Sequence, residues 1–210
     1  MGLRARLAAL VSVCGLLSCA IWAPGTSPIE PPVAGVVRTV APAIPEAVEA
    51  HLVEHQTGLS PRERLALAHA IVEESDRYGV DVDMILAVIY SESGFHNFAR
   101  SSTGALGLMQ ILPSTGRTLA ERIGQHWDGP RSLLDPTVNV RLGTSYLRWL
   151  HKRYGRWDHA LAAYSSGPGA VDRMLRHGEP IPEAYASRVL GRFQSVQAPS
   201  KPSSSSSPRS

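Results

Sequence analysis

The most constraining feature of this chain is a stretch at residues 82–89, V-D-M-I-L-A-V-I, that is apolar at seven of its eight positions. It follows Asp81, a residue type that caps helix N-termini, and its apolar residues point in nearly every direction around a helix. A helix of this kind is stable only when other elements surround it. We therefore expect a central buried helix, with amphipathic helices packed around it.

The surrounding sequence carries helix start and stop signals. Residues 60–63, Ser-Pro-Arg-Glu, form a capping box with proline at the first helical position, and Gly79 ends the apolar pattern that follows. Asp135 and Pro136 open another helix, which Gly155 closes. Shorter helices are expected at 158–164, 168–176 and 182–193. Because strand-like alternation is nearly absent, the predicted class is all-α, with one folded domain over residues 59–195.

The two ends of the chain have the composition of extensions. Arg4 and Arg6 precede an apolar run of eleven residues, and Leu16-Leu17-Ser18-Cys19 resembles a bacterial lipobox. We therefore predict a signal peptide over residues 1–19 with Cys19 as the lipidated residue, so that the protein is exported to the periplasm and tethered to a membrane. Ordinary cleavage after Ala20, which gives a soluble periplasmic or secreted protein, is the alternative. Residues 20–58 are predicted to be a Pro-rich tether and residues 196–210 a Ser-rich disordered tail.

Charge and cysteine content exclude several classes of function. Without Arg4 and Arg6, the formal net charge of +3 falls to +1, so nucleic acid is not an expected partner. We also expect a monomer. Both cysteines lie in the leader region, so the domain has no disulfide. Residues 51–55 spell the H-x-x-E-H pattern of some zinc proteases, but they border the Pro-rich segment and have no partner motif. We interpret them as a solvated helix start and expect no metal and no cofactor.

The chemistry is expected at the end of the buried helix. Glu92 lies in the Ser-Glu-Ser-Gly segment that follows the apolar run, which would place its carboxyl group at the edge of the core, where partial loss of solvent raises the pKa of an acid. Such a group suits general acid catalysis near neutral pH. A solvated glutamate near a helix end is the alternative interpretation of this feature alone.

Two further segments combine polar groups with glycines. Residues 104–111, G-A-L-G-L-M-Q-I, place Gln110 in an apolar loop, where its amide could offer donors and acceptors to a ligand. Tyr164 ends a helix just before the Ser-Ser-Gly-Pro-Gly turn at 165–169. It could orient a carboxylate or stack on a sugar, or it could be a core tyrosine whose hydroxyl is satisfied internally.

Taken in order, these motifs closely resemble the soluble lytic transglycosylase (SLT) family. The resemblance covers about residues 59–193 and rests on the segments E-S-G-F at 92–95, G-A-L-G-L-M-Q-I at 104–111, D-P-x-x-N at 135–139, G-x-x-Y-L at 143–147, A-Y at 163–164 and G-P-G at 167–169, and on Tyr185 with Val189 and Leu190. It implies a single lysozyme-like helical domain that cleaves the glycan strands of peptidoglycan between N-acetylmuramic acid and N-acetylglucosamine.

The resemblance also implies roles for particular residues. Glu92 matches the catalytic acid and base. Ser101 matches a serine near the substrate N-acetyl group, Met109 and Gln110 match groove residues, and Tyr164 and Tyr185 match tyrosines near the catalytic carboxyl. The chain departs from the family at Ser165, where asparagine is usual, and at Ile181-Pro182, where Glu-Thr is usual, which leaves the role of Tyr185 open.

The scarcity of acids near Glu92 bears on the reaction. Most glycosidases use two carboxylates, but Glu121 is the only acid between Glu92 and Trp127. One acid suffices if the C6 hydroxyl of the muramic acid attacks and closes a 1,6-anhydro ring, as in the family mechanism. A muramidase that uses water, with Asp128 or Asp135 as its second carboxylate, remains an alternative, as does an inactive murein-binding module.

Overall fold

The structure is a computed structural model, and it describes residues 44–197, with side chains to residue 194. These residues form eight α-helices: α1 (Ile44–Val53), α2 (Pro61–Tyr78), α3 (Val82–Ser93), α4 (Pro113–Ile123), α5 (Pro136–Tyr154), α6 (Trp157–Ser166), α7 (Pro168–His177) and α8 (Ala184–Gln197). A 3₁₀ helix, Pro130–Leu134, precedes α5. The described part contains isolated β-bridges but no strand, so the predicted all-α class is confirmed.

Helix α3 is the buried helix that the sequence predicts. All six residues from Met84 to Ile89 are buried, and the helix packs against α8 and α2. Helix α5 lies against α2, α4 and α6. Helix α3 is therefore held in the main apolar core by α2 and α8, and this packing fixes the place where its C-terminal end reaches the surface.

The helix starts follow the predicted caps, with one exception. The Ser60 side chain accepts from the Glu63 backbone N–H while Glu63 accepts from that of Ser60, which completes the capping box. Asp135 accepts from the backbone N–H groups at the start of α5. Asp81 stands at the N-cap position of α3, but its side chain makes no capping hydrogen bond. The burial of α3 therefore fixes its position without that cap.

The predicted tether is wrong at its C-terminal end. Helix α1 lies within the range 20–58, and its Val48 and Leu52, one helical turn apart, are buried in the main core. The sequence signal was weak because Pro45 and few large apolar residues accompany them. Helix α4 and the 3₁₀ helix were not predicted either. Residues 1–43 and 198–210, with the predicted signal peptide, the lipidated Cys19 and most of the tail, lie outside the described residues.

Candidate active site

Glu92 lies in the last turn of α3, just before Gly94 ends the helix with a left-handed φ of 58°. It lies three positions after the buried stretch from Met84 to Ile89, and its own side chain is half-buried. The helix therefore carries one carboxyl group from the core to the molecular surface, as the sequence predicts.

Tyr185 is the direct partner of this carboxyl group. Its hydroxyl donates a hydrogen bond to Glu92 Oε1 over 2.5 Å, although the two residues are 93 positions apart. Helix α8, packed along α3, makes this contact. Tyr185 is 9% exposed, and the Arg188 guanidinium lies 5.2 Å from the centre of its ring. The departure at Ile181-Pro182 thus leaves Tyr185 beside Glu92.

Burial raises the pKa of Glu92, although the hydrogen bond from Tyr185 and the positive charge of Arg188 each oppose the shift. The raised pKa keeps a larger fraction of the carboxyl protonated near neutral pH than in water. Burial and the nearby Glu92 charge also raise the pKa of Tyr185, so its hydroxyl stays protonated and remains a donor. The pair can therefore supply a proton from Glu92 and then stabilise the carboxylate that remains.

A loop at residues 99–111 is linked to this pair through Tyr164, whose hydroxyl binds the Met109 carbonyl, and is organised by Asn139 of α5. Two bridges, Arg100 with Leu106 and Leu106 with Ile111, fold the loop on itself. The fully buried Asn139 accepts from the Met109 N–H over 2.7 Å and donates to the carbonyls of Leu106 and Leu133 over 3.0 and 2.9 Å. Its amide is therefore fully used in fixing the loop.

Gly107 is required at the centre of this loop. It has a φ of 79°, and a Cβ atom there would lie 2.3 Å from the Leu133 carbonyl oxygen and 2.4 Å from Asn139 Nδ2. The glycine expected to allow close backbone approach does so at this position.

Met109 does not line a groove with its side chain. The side chain is 0% exposed, and its sulfur would lie 2.3 Å from a Cβ at Gly143, so the two residues pack in direct contact. The prediction of a groove residue is therefore not supported for the thioether. The Met109 backbone carbonyl, which accepts from the Tyr164 hydroxyl over 2.8 Å, instead links the loop to α6.

Gln110 is bound into the loop more tightly than predicted. Its backbone has a φ of 48°, which is uncommon outside glycine, and its Nε2 donates to the carbonyls of Ala99 and Gly107 over 3.1 and 2.9 Å. Both amide hydrogens are thereby used, so the expectation that Gln110 offers donors to a ligand is wrong for this conformation. Its Oε1 is the group left to accept a hydrogen bond.

Ser101 has a similar role at the other end of the loop. Its Oγ accepts from the Ala105 N–H over 3.0 Å and lies 2.8 Å from Thr103 Oγ1. The side chain is half-buried, so the hydroxyl remains open on one side. A contact with the substrate N-acetyl group stays a prediction.

Tyr164 fits the second of its two interpretations. Its hydroxyl is satisfied by the Met109 carbonyl and does not bind Glu92. Burial and the Glu92 charge raise the pKa of Tyr164 well above its usual value, so the ring lies within electrostatic range of the carboxyl. Tyr164 is thus an uncharged residue near the Glu92 carboxyl.

The sequence analysis did not identify two residues that contribute to the candidate site, Asn139 and Arg188. Asn139 gave a signal, a polar residue on the apolar face of α5. Arg188 gave none, because only the packing of α8 on α3 brings it near Glu92. Of the departures from the family pattern, Ser165 is exposed, and Ile181 packs against the smaller apolar cluster around Leu150 and Val171.

The H-x-x-E-H segment, predicted to be a solvated helix start, covers the end of α1 and the two residues after it. The His55 ring stacks on Phe95 with centroids 4.4 Å apart, and His51 approaches the same ring edge-on at 5.5 Å. Within residues 44–197, no group of three His, Cys, Asp or Glu side chains could hold a metal ion. Over the same residues, every helix is too short or too polar to cross a membrane.

Comparison with known proteins identifies similar sequences. A family model described as the transglycosylase SLT domain matches residues 69–180, which include Glu92, the loop and Tyr164 but stop before Tyr185. The membrane-bound lytic murein transglycosylase C of Mannheimia succiniciproducens is 32% identical over 160 residues, which is 71% of this chain but 43% of that protein. The chain thus spans less than half the length of this relative.

Two solved structures share the fold. The lytic transglycosylase Slt of Pseudomonas aeruginosa, solved as an inactive glutamate-to-glutamine mutant, is 32% identical with a TM-score of 0.50, covering 61% of this chain and 22% of that one. The 70-kDa soluble lytic transglycosylase in complex with bulgecin A is 25% identical with a TM-score of 0.58, covering 73% and 27%. The resemblance seen in the motifs is thereby confirmed.

Proposed function

The chain belongs to the transglycosylase SLT domain family, and from this premise we propose that it is a peptidoglycan lytic transglycosylase with Glu92 as its acid and then its base. The substrate is the glycan strand, cut at the β-1,4 bond between N-acetylmuramic acid and N-acetylglucosamine. The observation that carries the proposal is the desolvated Glu92 carboxyl, whose pKa is raised by burial and which accepts a hydrogen bond from Tyr185.

In the first step, protonated Glu92 donates its proton to the oxygen of the glycosidic bond. The bond from that oxygen to the anomeric carbon of the muramic acid breaks, and the N-acetylglucosamine side leaves as an alcohol. The substrate's 2-acetamido group supports the positive charge that develops at the anomeric carbon. Tyr185 and Arg188 stabilise the Glu92 carboxylate that this transfer produces.

In the second step, the Glu92 carboxylate takes the proton of the muramic C6 hydroxyl. The C6 oxygen attacks the anomeric carbon and closes a 1,6-anhydro ring, which returns Glu92 to its acid form. One carboxyl group therefore serves both steps. The Gln110 Oε1 atom and the Ser101 hydroxyl are the loop groups proposed to orient the sugar.

The charges around Glu92 favour this lyase over a hydrolase. A muramidase of the lysozyme type needs a second carboxylate beside the scissile bond. Besides burial, the groups that shift the Glu92 pKa are Tyr185 and Arg188, and neither is a carboxylate. Asp135, one of the two predicted alternatives, is engaged as the cap of α5, where its Oδ1 accepts from Thr137 and Val138.

Analysis of the products decides between these reactions. Purified murein digested with the full chain should yield 1,6-anhydromuramyl ends, lighter by one water than hydrolytic ends and without a reducing group. Intramolecular attack has an effective molarity of roughly 10⁵ M or more, against about 55 M for water with no base to hold it. Predominantly reducing muramic ends by mass spectrometry would instead identify a muramidase. Binding to sacculi without cleavage would identify a murein-binding module.

We further propose that the protein is exported and held at a membrane through a lipid on Cys19. The relative from M. succiniciproducens is named membrane-bound, which supports this proposal. Replacing Cys19 with alanine should move the protein from the membrane fraction to the soluble periplasmic fraction. A wild-type protein that is already soluble, with its N-terminus at Ile21, would rule the lipid anchor out.

A further inference from the structure

Phe95 has an unusual backbone conformation, three positions after Glu92. Its φ is 70°, in the left-handed region that bulky residues rarely adopt, and Gly94 before it also has a positive φ of 58°. The Phe95 side chain is only 1% exposed. A buried aromatic residue keeps such a strained conformation only when the surrounding structure holds it there. The contacts of Phe95 therefore help to determine how the chain leaves the end of α3.

Two histidines at the end of α1 make aromatic contacts with Phe95. The His55 ring lies nearly parallel to the Phe95 ring, at 26° with centroids 4.4 Å apart, and the His51 ring meets it edge-on at 5.5 Å. Both histidines come from the H-x-x-E-H segment, to which the proposed function assigns no role. Val48 and Leu52 bury the other side of α1 in the main core, so the histidines approach Phe95 from a helix that is itself anchored.

The chain that follows Phe95 is also tied to the end of α1. The Asn97 N–H donates to the Thr57 carbonyl over 3.0 Å. Two positions later the loop at residues 99–111 begins, which carries the groups proposed to orient the sugar. Phe95 thus lies in the short connection between Glu92 and this loop. A displacement of its ring would change the position of the carboxyl relative to the bound sugar.

Several titratable groups face the two histidines. Glu54 of α1, Tyr90 of α3 and Arg192 of α8 line a cavity of about 260 Å³ beside them. The Arg192 guanidinium lies 3.4 Å from the centre of the Tyr90 ring. Burial and the neighbouring His51 lower the pKa of His55, and the Glu54 charge opposes them only in part. The packing therefore favours the neutral form of His55.

Acid should therefore weaken the contact with Phe95. Because packed His55 has a lower pKa than a free histidine, whose pKa is about 6.5, the packed arrangement is fully favoured above that value and is progressively disfavoured as the pH falls below it. Protonated rings with centroids 5.0 Å apart would also repel each other and Arg192, and Glu54 offsets one of these three charges. The adjacent cavity gives the rings room to move.

On these grounds we propose that His55, supported by His51, is a positioning residue that sets the place of Glu92 through Phe95, and that protonation of the two histidines in acid releases Glu92 from this place. The inference rests on the proposed function, because it concerns the same catalytic carboxyl. It adds a loss of activity in acid that the Glu92 chemistry alone does not give, since the first step itself produces the carboxylate that the second step needs.

The test compares turnover of soluble glycan strands by the full chain with that of two variants at residue 55. His55→Ala removes the stacked ring, so kcat should fall by about tenfold at about pH 7.5 with little change in KM, less than the roughly 100-fold that a 1 Å misplacement can cost. His55→Phe keeps a ring that cannot be protonated. It should restore kcat and lose less activity than the wild type between about pH 7.5 and about pH 5.5. His69→Ala, at an exposed site on α2, is the control and should match the wild type in both respects.

Hydrogen exchange gives a second readout that does not depend on activity. The backbone amides of residues 95–97 should exchange faster in His55→Ala than in the wild type, and at the wild-type rate in His55→Phe and His69→Ala. This measurement reports directly on whether His55 holds the segment that follows Glu92.

Unchanged kcat and exchange in His55→Ala would overturn the positioning role, as would a raised KM with an unchanged kcat. A wild-type loss of activity in acid by His55→Phe would overturn the role of protonation. If circular dichroism shows that His55→Ala does not fold, the pH dependence of His55→Phe decides instead. A wild-type chain that cleaves normally while the variants show no effect rejects this inference alone. Absence of cleavage by the wild type rejects the proposed function, and the exchange rates then decide whether His55 holds Phe95.

Discussion

Two glutamates, Glu74 on α2 and Glu92 on α3, are both taken out of water, but their surroundings differ. The Glu74 side chain is 0% exposed, and its two oxygens face Arg141 at 2.7 Å and Arg77 at 3.2 Å. Glu92 accepts a hydrogen bond from the neutral Tyr185 hydroxyl, and Arg188, the cation that lowers the Glu92 pKa, is exposed. The charge of Glu74 is thus neutralised inside the protein, while that of Glu92 is not.

This difference distinguishes a carboxylate that stabilises the fold from one that can take part in catalysis. A buried carboxylate with guanidinium partners stabilises the packing of the helices that carry them, because loss of the carboxylate or of its partners leaves an unpaired charge. A buried carboxyl without a strong cation can change its protonation state during a reaction at moderate cost. The partners, rather than the depth of burial, therefore assign the two roles, and each of the following experiments tests one side of that assignment.

The largest effect is expected for Glu92→Gln. Cleavage of murein should fall by at least about 10³-fold, because no other acid acts at this position. Burial of the ionised carboxyl is unfavourable above its pKa, so the variant should unfold at the same or a higher temperature than the wild type at pH 7. Turnover assays and thermal melts measure both. Glu121→Gln, on an exposed position of α4, is the control, and near-native activity of Glu92→Gln would refute the assignment.

The opposite pattern is expected for Glu74→Gln. The free energy of unfolding should fall by about 3 kcal/mol, at the low end for a broken buried pair because both guanidinium groups reach solvent. Activity per folded molecule should stay near wild type. Urea unfolding measures the loss, and Glu73→Gln, which removes an exposed partner of Arg77, should cost less than about 1 kcal/mol. Equal losses in the two variants would contradict the structural role of Glu74.

A smaller effect is expected for Tyr185→Phe, and it appears in the pH dependence. The Tyr185 hydrogen bond stabilises the Glu92 carboxylate, so its removal should raise the Glu92 pKa further. The first step needs protonated Glu92, so activity falls as the pH rises through this pKa. The alkaline limb of the pH–rate profile should therefore move to higher pH. Tyr164→Phe loses a bond to Met109 rather than to Glu92 and should leave this limb in place.

The smallest effect is expected for Arg188→Gln. Loss of this charge should raise the Glu92 pKa, in the same direction as Tyr185→Phe but by less, because Arg188 is exposed and acts through space. High salt should reproduce the shift in the wild type and add little in the variant. Arg173→Gln on α7, also exposed, is the control. A shift larger than that of Tyr185→Phe would mean that Arg188 binds Glu92 directly.

The sequence predicted those features that depend on neighbouring residues. The capping residues Ser60 and Asp135 and the apolar run in α3 gave correct helices, and Glu92 was located because it follows that run. Helix α4 was missed because Gly116 and three Ser or Thr residues interrupt its pattern, and only a narrow stripe with Leu119 and Ala120 is buried.

The orientation of the loop side chains could not be predicted. Whether Gln110 donates to a ligand or to its own loop depends on a backbone with φ of 48°, which the contacts of the folded loop impose. Burial of Met109 depends on Gly143, 34 positions away. The family resemblance assigned these residues to a groove, whereas their packing places the Met109 side chain in the core and directs both Gln110 amide hydrogens to the loop.

The position of Asn139 has a consequence for the order in which the chain folds. Its hydrogen bonds to the loop join residues 30 and 33 positions apart, and the bond from Tyr185 to Glu92 joins residues 93 apart. Contacts so distant in sequence form only after most of the chain has been ordered. The loop cannot adopt its native conformation until α5 has docked. Likewise, Tyr185 cannot bind Glu92 until α8 has docked. For the proposed lytic transglycosylase, a chain that is not fully folded therefore has no assembled active site, which protects the wall of the cell that makes it.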